Sequence, residues 1–120
     1  MTQEEKELLI KDLCARLPYG VKMSVNDNVE VLQGINIVDN IVEYSSFLAS
    51  EIEDCKPYLF PLSSMTEEQE KEYNNLNCYE LGCFPHSEEA LDYLTKNHFD
   101  YRYLIEKGLA IDATGLNIYF

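Results

Sequence analysis

The chain has no tryptophan and only two histidines, and its 22 aspartates and glutamates face just nine lysines and arginines. No stretch approaches the roughly 20 consecutive apolar residues with which a helix crosses a bilayer, so membrane insertion is not expected. A Gly-rich phosphate loop, a His-x-x-x-His pair and an Asp-x-Asp-x-Asp loop are all missing. No reaction class therefore stands out, and a non-enzymatic role is expected. Internal repeats, low-complexity tracts and linkers are missing too. The opening residues, Met1 to Lys6, are acidic and polar where a signal peptide is basic and then apolar. They predict a cytoplasmic protein.

What is present is one domain's worth of ordinary globular chain. A length of 120 residues supports one core, and a hydrophobic fraction of 46% separates this acidity from that of a disordered segment. Nine tyrosines and five phenylalanines supply aromatic core, with some rings left for the surface. The net charge of −13 is confined to the middle. Residues 1–22 and 96–120 are each neutral, whereas residues 23–95 hold fifteen acids against Lys56 and Lys71, which accounts for all of it. Such a field repels phosphate backbones and acidic lipid surfaces and attracts basic partners in a salt-dependent way. Of the four cysteines, Cys14 and Cys55 read as small core residues, and free thiols are expected in a chain without a secretory signal.

The hydrophobic period assigns the elements. Thr2-Gln3-Glu4-Glu5 is a capping-box pattern, and Leu9, Leu13 and Leu17, flanked by Ile10 and Cys14, follow at helical spacing. The pattern predicts a helix over 3–17, stopped by Pro18-Tyr19-Gly20. The period then drops to two. Val21, Met23 and Val25 alternate up to Asn26-Asp27-Asn28, and Val29, Val31, Ile35 and Ile37 share one parity around Gly34, a bulge candidate. Ile41 to Tyr44 completes an antiparallel meander. Further extended pieces end in Lys56-Pro57-Tyr58-Leu59-Phe60-Pro61, whose prolines place that segment at a sheet edge or outside the sheet.

Ser64 and Thr66 are caps for a helix whose first turns carry Glu67, Glu68, Glu70 and Glu72, where the helix dipole favours negative charge. Residues 74–77 read as loop, and 74–86 as the most irregular stretch. Ser87 caps a helix to about Asn97 with Ala90, Leu91 and Leu94 inward. A short helix is expected from about Asp100 to Lys107, closed by Gly108, followed by a C-terminal strand or hairpin around Thr114-Gly115. The expected fold is a single α+β domain, 1–120. It has an N-terminal helix, a small antiparallel meander or partly closed SH3-like barrel, then two to three short helices and the C-terminal strand or hairpin.

The best-populated candidate site is Cys78 to His86, where Cys78, Cys83 and His86 supply three potential zinc ligands and His98 a fourth. The cysteine spacing is wider than in zinc knuckles. The expectation is therefore an irregular loop that plugs the core, with no metal and no cofactor. A catalytic thiol is disfavoured because Cys78 and Cys83 lie in the most acidic third, which raises a thiol pKa. His98 is read as a packing or capping residue. Tyr101, Arg102 and Tyr103 are of the right type to stack on nucleic acid, but balanced charge there cannot offset the acidic middle, so direct nucleic-acid binding is not expected.

Leu17-Pro18-Tyr19-Gly20-Val21-Lys22, the segment Lys56 to Glu68 and the segment Asn97 to Ala110 are distinctive. Together they resemble a group of small hypothetical proteins encoded by gut anaerobes and their phages or mobile elements. The resemblance implies a phage or mobile-element setting and brings no activity, cofactor or site with it.

The functional expectation is an acidic interaction or accessory protein whose partner is a protein with a basic surface. The expected surface comprises Glu67, Glu68, Glu70, Glu72, Tyr73 and Tyr79, with Tyr19, Tyr44 and Tyr58 flanking the same acidic region. Two alternatives are a DNA mimic or inhibitor of a nucleic-acid-binding host protein, and a small metal-binding domain built on Cys78, Cys83 and His86. The DNA mimic requires the acids of 27–54 and 67–92 on one elongated face. A homodimer through Ile118-Tyr119-Phe120 is left open.

Overall fold

The computed structural model describes residues 1–77 and 88–119. At its start the Thr2 hydroxyl accepts the Glu5 N–H at 3.1 Å, and the Thr2 N–H donates to Glu5 Oε1 at 2.9 Å, closing the capping box from both sides. Helix α1 spans Gln3–Arg16. It ends where Leu17–Tyr19 tighten into a 3-10 turn and Gly20 takes a left-handed φ of 65°. The buried stripe of α1 is Leu9, Asp12, Leu13 and Arg16, an i, i+3, i+4, i+7 set. Two charged residues share the inward face because they neutralise one another. Cys14 is thereby turned outward and is exposed, which corrects its expected core position. Cys55 is buried as expected, and Leu9 and Leu13 each contribute about 1.5–3 kcal/mol by burial.

Strands β1 (Lys22–Val25), β2 (Asn28–Asn36), β3 (Ile41–Tyr44) and β4 (Ala49–Glu51) form an antiparallel meander. Asn26 and Asp27 both have positive φ, the two-residue turn that matches strand twist and that Asn and Asp tolerate. The register of β2 on β3 shifts between Leu32 and Gly34, so the bulge lies where the glycine suggested. The bulge also corrects the expected single apolar parity of β2. Leu32 faces the core before it and Ile35 packs on the core after it, while Val29 and Ile37 are exposed. One inserted residue reverses which face each side chain meets.

Strand β5 (Cys55–Pro61) is a central strand, not an edge. It pairs with β1 antiparallel, and with β6 (Phe99–Asp100) and β7 (Ile111–Asp112) in parallel. The sheet tolerates Pro57 and Pro61 because both have the same parity, so only one side of the strand loses donors. Phe60, of the opposite parity, donates its N–H to the His98 carbonyl at 2.8 Å, and the Leu59 carbonyl accepts from Ala113 N–H at 2.8 Å. The sheet order is β4-β3-β2-β1-β5-β6, with β7 also on β5, and the sheet does not close into a barrel.

Helices α2 (Glu67–Asn77) and α3 (Glu88–Lys96) follow β5. The Thr66 hydroxyl caps α2 by accepting Gln69 N–H at 3.2 Å, and Gln69 Oε1 accepts Thr66 N–H at 2.9 Å. Residues 74–77, expected as loop, continue this helix, whose Tyr73 packs near Tyr93 of α3 with ring centroids 6.5 Å apart. Packing overrides the weak local preference there. The expected helix from Asp100 to Lys107 is instead a turn. The Asp100 carboxylate takes the N–H groups of Arg102, Leu104 and Ile105, at 3.3, 3.0 and 3.0 Å, and so competes with a helical ladder. Its end is as expected. Gly108 has φ 74°, Gly108 N–H reaches Ile105 O, and Leu109 N–H reaches Leu104 O.

The apolar interior is in two parts. One joins α1 to β1, β2, β3 and β5; the other joins α2 and α3 to Phe99 and Tyr101.

Candidate functional site

Cys78, Cys83, His86 and Tyr79 lie outside the described residues. Among the described residues no group of three His, Cys, Asp or Glu side chains is placed to hold a metal ion. His98, the one described member of the proposed ligand set, follows α3 with a left-handed φ of 63°. Its ring stacks on Tyr119, with centroids 3.9 Å apart and planes 12° apart, and its Nδ1 is buried without a partner among the described residues. Burial, then the charges of Arg16 and Lys22, lower its pKa from 6.5 to about 4, so the imidazole is neutral at pH 7.

Tyr119 donates its hydroxyl proton to the Tyr58 carbonyl at 2.7 Å and accepts the Lys22 N–H at 2.9 Å. Burial pushes its pKa up to about 12. Lys22 Nζ donates to the Ile118 carbonyl. The chain end considered for a homodimer is thus strapped onto its own sheet at Ile118 and Tyr119.

The expected partner surface on α2 divides. Glu67, Glu68 and Glu72 are exposed and Glu70 is half-buried, but Tyr73 is only 1% exposed and belongs to the core beneath α2. Tyr73 is therefore corrected from surface to core, because an amphipathic helix lying on α3 turns its one aromatic residue inward. Tyr44 is buried as well. The acids of 27–54 lie on the meander from the β1–β2 turn to the segment after β4, while the described acids of 67–92 lie on α2 and α3, which pack beside β6 at the other end of the strand order.

Tyr101, Arg102 and Arg16 build a buried polar network. Asp12 holds Arg16 Nε at 2.7 Å and Arg102 Nη1 at 2.9 Å, and both Asp12 and Arg16 side chains are fully buried. Arg16 Nη2 donates to the Phe99 carbonyl at 2.7 Å. The guanidinium carbons of Arg16 and Arg102 lie 5.1 and 4.8 Å from the centre of the Tyr101 ring. These cations tie α1 to the segment after α3 and are spent on structure.

The surface features that sequence reasoning missed are two apolar turns at opposite ends of the meander, 37–40 between β2 and β3 and 45–48 between β3 and β4. Phe47 is 97% exposed and Val38 92%, with Ile37 and Leu48 exposed beside them in the chain. Among the described residues seven non-glycines have positive φ; four are Asn or Asp, and the others are Phe47, His98 and Tyr103. Phe47, at φ 69°, closes the β3–β4 turn, with its N–H on the Tyr44 carbonyl and the Tyr44 N–H on the Leu48 carbonyl. Glycine normally occupies such a position. Phe47 also lines a cleft of about 240 Å³ with Gln33, Glu43 and Leu48. A Cβ at Gly34 would come 3.1 Å from Glu43 Oε2, so the glycine seats that carboxylate. Ser45-Ser46 ahead of Phe47 was the available signal, a turn dipeptide that sets the next residue at a hairpin tip.

No family model, curated protein or solved structure matches the chain. No helix among the described residues is long and apolar enough to cross a membrane.

Proposed function

We propose that the protein is a non-enzymatic accessory protein that docks a partner with a basic surface through the tip of its meander. The observation that carries the reading is Phe47. It is almost wholly exposed and sits in a backbone region that costs a non-glycine residue about 1 kcal/mol or more, so folding gains nothing from it. Around it the segment 27–54 carries seven acids and no lysine or arginine. An exposed aromatic ring on a segment whose charge is all of one sign suits an apolar anchor on a partner of the opposite sign. A phage or mobile-element setting, implied by the resemblance, makes the partner a host protein.

The test compares immobilised wild-type protein with Phe47→Gly in native lysate at low and high salt, read by quantitative mass spectrometry. Lysine- and arginine-rich proteins should be retained by the wild type at low salt, and released by salt and by the substitution. Phe47→Gly should meanwhile be at least as stable as the wild type, since it removes strain and no buried area. Equal retention by both proteins would refute the assignment of the anchor to Phe47.

A further inference from the structure

A cavity of about 420 Å³ opens between β5, the start of α2, the end of α3 and the C-terminal turn. Its volume is within the range of about 300–1,000 Å³ that small-molecule sites occupy. Four aromatic residues, Phe60, His98, Phe99 and Tyr119, line it. They touch one another as well: His98 stacks on Tyr119, and Phe60 and Tyr119 have centroids 5.8 Å apart.

The formal charge of the lining is one-sided, although Ser64 and Asn97, which also line it, give their donors to the Pro61 and Tyr93 carbonyls. In a chain with 22 acids, no carboxylate among the described residues lines this cavity, while Lys96 does and forms no described ion pair. Thr66 and Gln69 also line it, and their capping bonds use the Thr66 oxygen and the Gln69 carbonyl oxygen as acceptors. Among the described residues the Thr66 hydroxyl proton and the Gln69 amide hydrogens meet no acceptor and are left to donate. The His98 backbone is held in a left-handed conformation that costs energy, and its ring carries a buried nitrogen with no partner among the described residues. One cation with no facing carboxylate, the donors of Thr66 and Gln69 and an aromatic wall together favour a flat anionic ligand.

We propose that this cavity is a binding site for a small planar aromatic anion, such as a mono- or bicyclic aromatic carboxylate. The ring packs against the wall that Phe60, Tyr119 and His98 form together, and the anionic group meets Lys96 and the donors of Thr66 and Gln69. The site lies apart from the Phe47 tip, beyond β5 in the strand order, and does not depend on the docking proposal.

The experiment is a titration of ¹⁵N-labelled protein with benzoate and, separately, with neutral benzamide, each to about 20 mM, where a millimolar complex saturates. Benzoate should shift the amides of Thr66, His98 and Gly115 saturably, and bind about threefold to fivefold more tightly than benzamide. Lys96→Gln, at an exposed helix end, should erase that preference while the rest of the spectrum is unchanged. Gln69→Ala, which keeps the cation, should weaken both compounds. Absence of saturable shifts at these amides, shifts clustered elsewhere, or equal affinity for the two compounds would overturn the proposal.

Discussion

Removing the Asp12 carboxylate tests the physical account most severely. Asp12 and Arg16 are fully buried, and Asp12 is the only acid that Arg16 contacts among the described residues. Asp12→Ala therefore strands a guanidinium in the core with the Phe99 carbonyl and the Tyr101 face as its remaining partners. Breaking a buried pair from one side costs about 3–5 kcal/mol. Arg102, whose side chain is 17% exposed, swings toward water and adds at most about 1 kcal/mol. Against a total stability of about 5–15 kcal/mol this is a large fraction.

The two ends of the pair are not equivalent. Arg16→Met leaves Asp12 paired with Arg102, so it should cost less than Asp12→Ala. The double variant Asp12→Ala/Arg16→Met, with methionine filling the arginine stem, should be more stable than Asp12→Ala alone by about 1–3 kcal/mol. Urea unfolding at pH 7 followed by circular dichroism gives each free energy and its slope. A cost below about 1 kcal/mol for Asp12→Ala, or a double variant equal to the sum of the singles, would show that the pair is not energetically buried.

Two further outcomes follow from the same structure. His98 has a folded pKa near 4 against 6.5 unfolded, so the unfolded chain binds the extra proton between those values. Its contribution is complete above pH 6.5 and is lost as pH falls toward 4, so urea midpoints of wild type and His98→Asn should converge or cross there and run parallel above it. In the Cys78→Ser/Cys83→Ser background, a maleimide should label exposed Cys14 within the native state while Cys55 stays protected, its thiol pKa raised by burial. Peptide mass spectrometry checks this, and equal labelling of both would contradict the core assignment.

The parts legible in advance were those governed by neighbours in the chain. The Thr2 capping box, the Asn26-Asp27 turn, the bulge at Gly34, the inward face of α3 at Ala90 and Leu94, and the left-handed turn at Gly108 all depend on contacts within a few residues. Site-level reading fared differently. His98 was read as a packing residue and does pack, yet its neutrality and its stack on Tyr119 come from partners 21 or more residues away. Tyr73 read as surface because its neighbours are glutamates, and only the packing of α2 on α3 turns it inward.

By itself the sequence determined the α+β class, the order of helix and strands, the ends of most elements and the confinement of all net charge to residues 23–95. Each follows from composition, period or a local hydrogen bond. Tertiary structure decided that β5 is central despite two prolines, that Asp12 and Arg16 are an internal pair, that Cys14 faces out and that Phe47 stands in water. It also gathered Phe60, Lys96, His98 and Tyr119 around one cavity. The physical reason is common to all of these. Burial is a property of what arrives from elsewhere in the chain, and a charge or ring takes its role from the partner that covers it or leaves it bare.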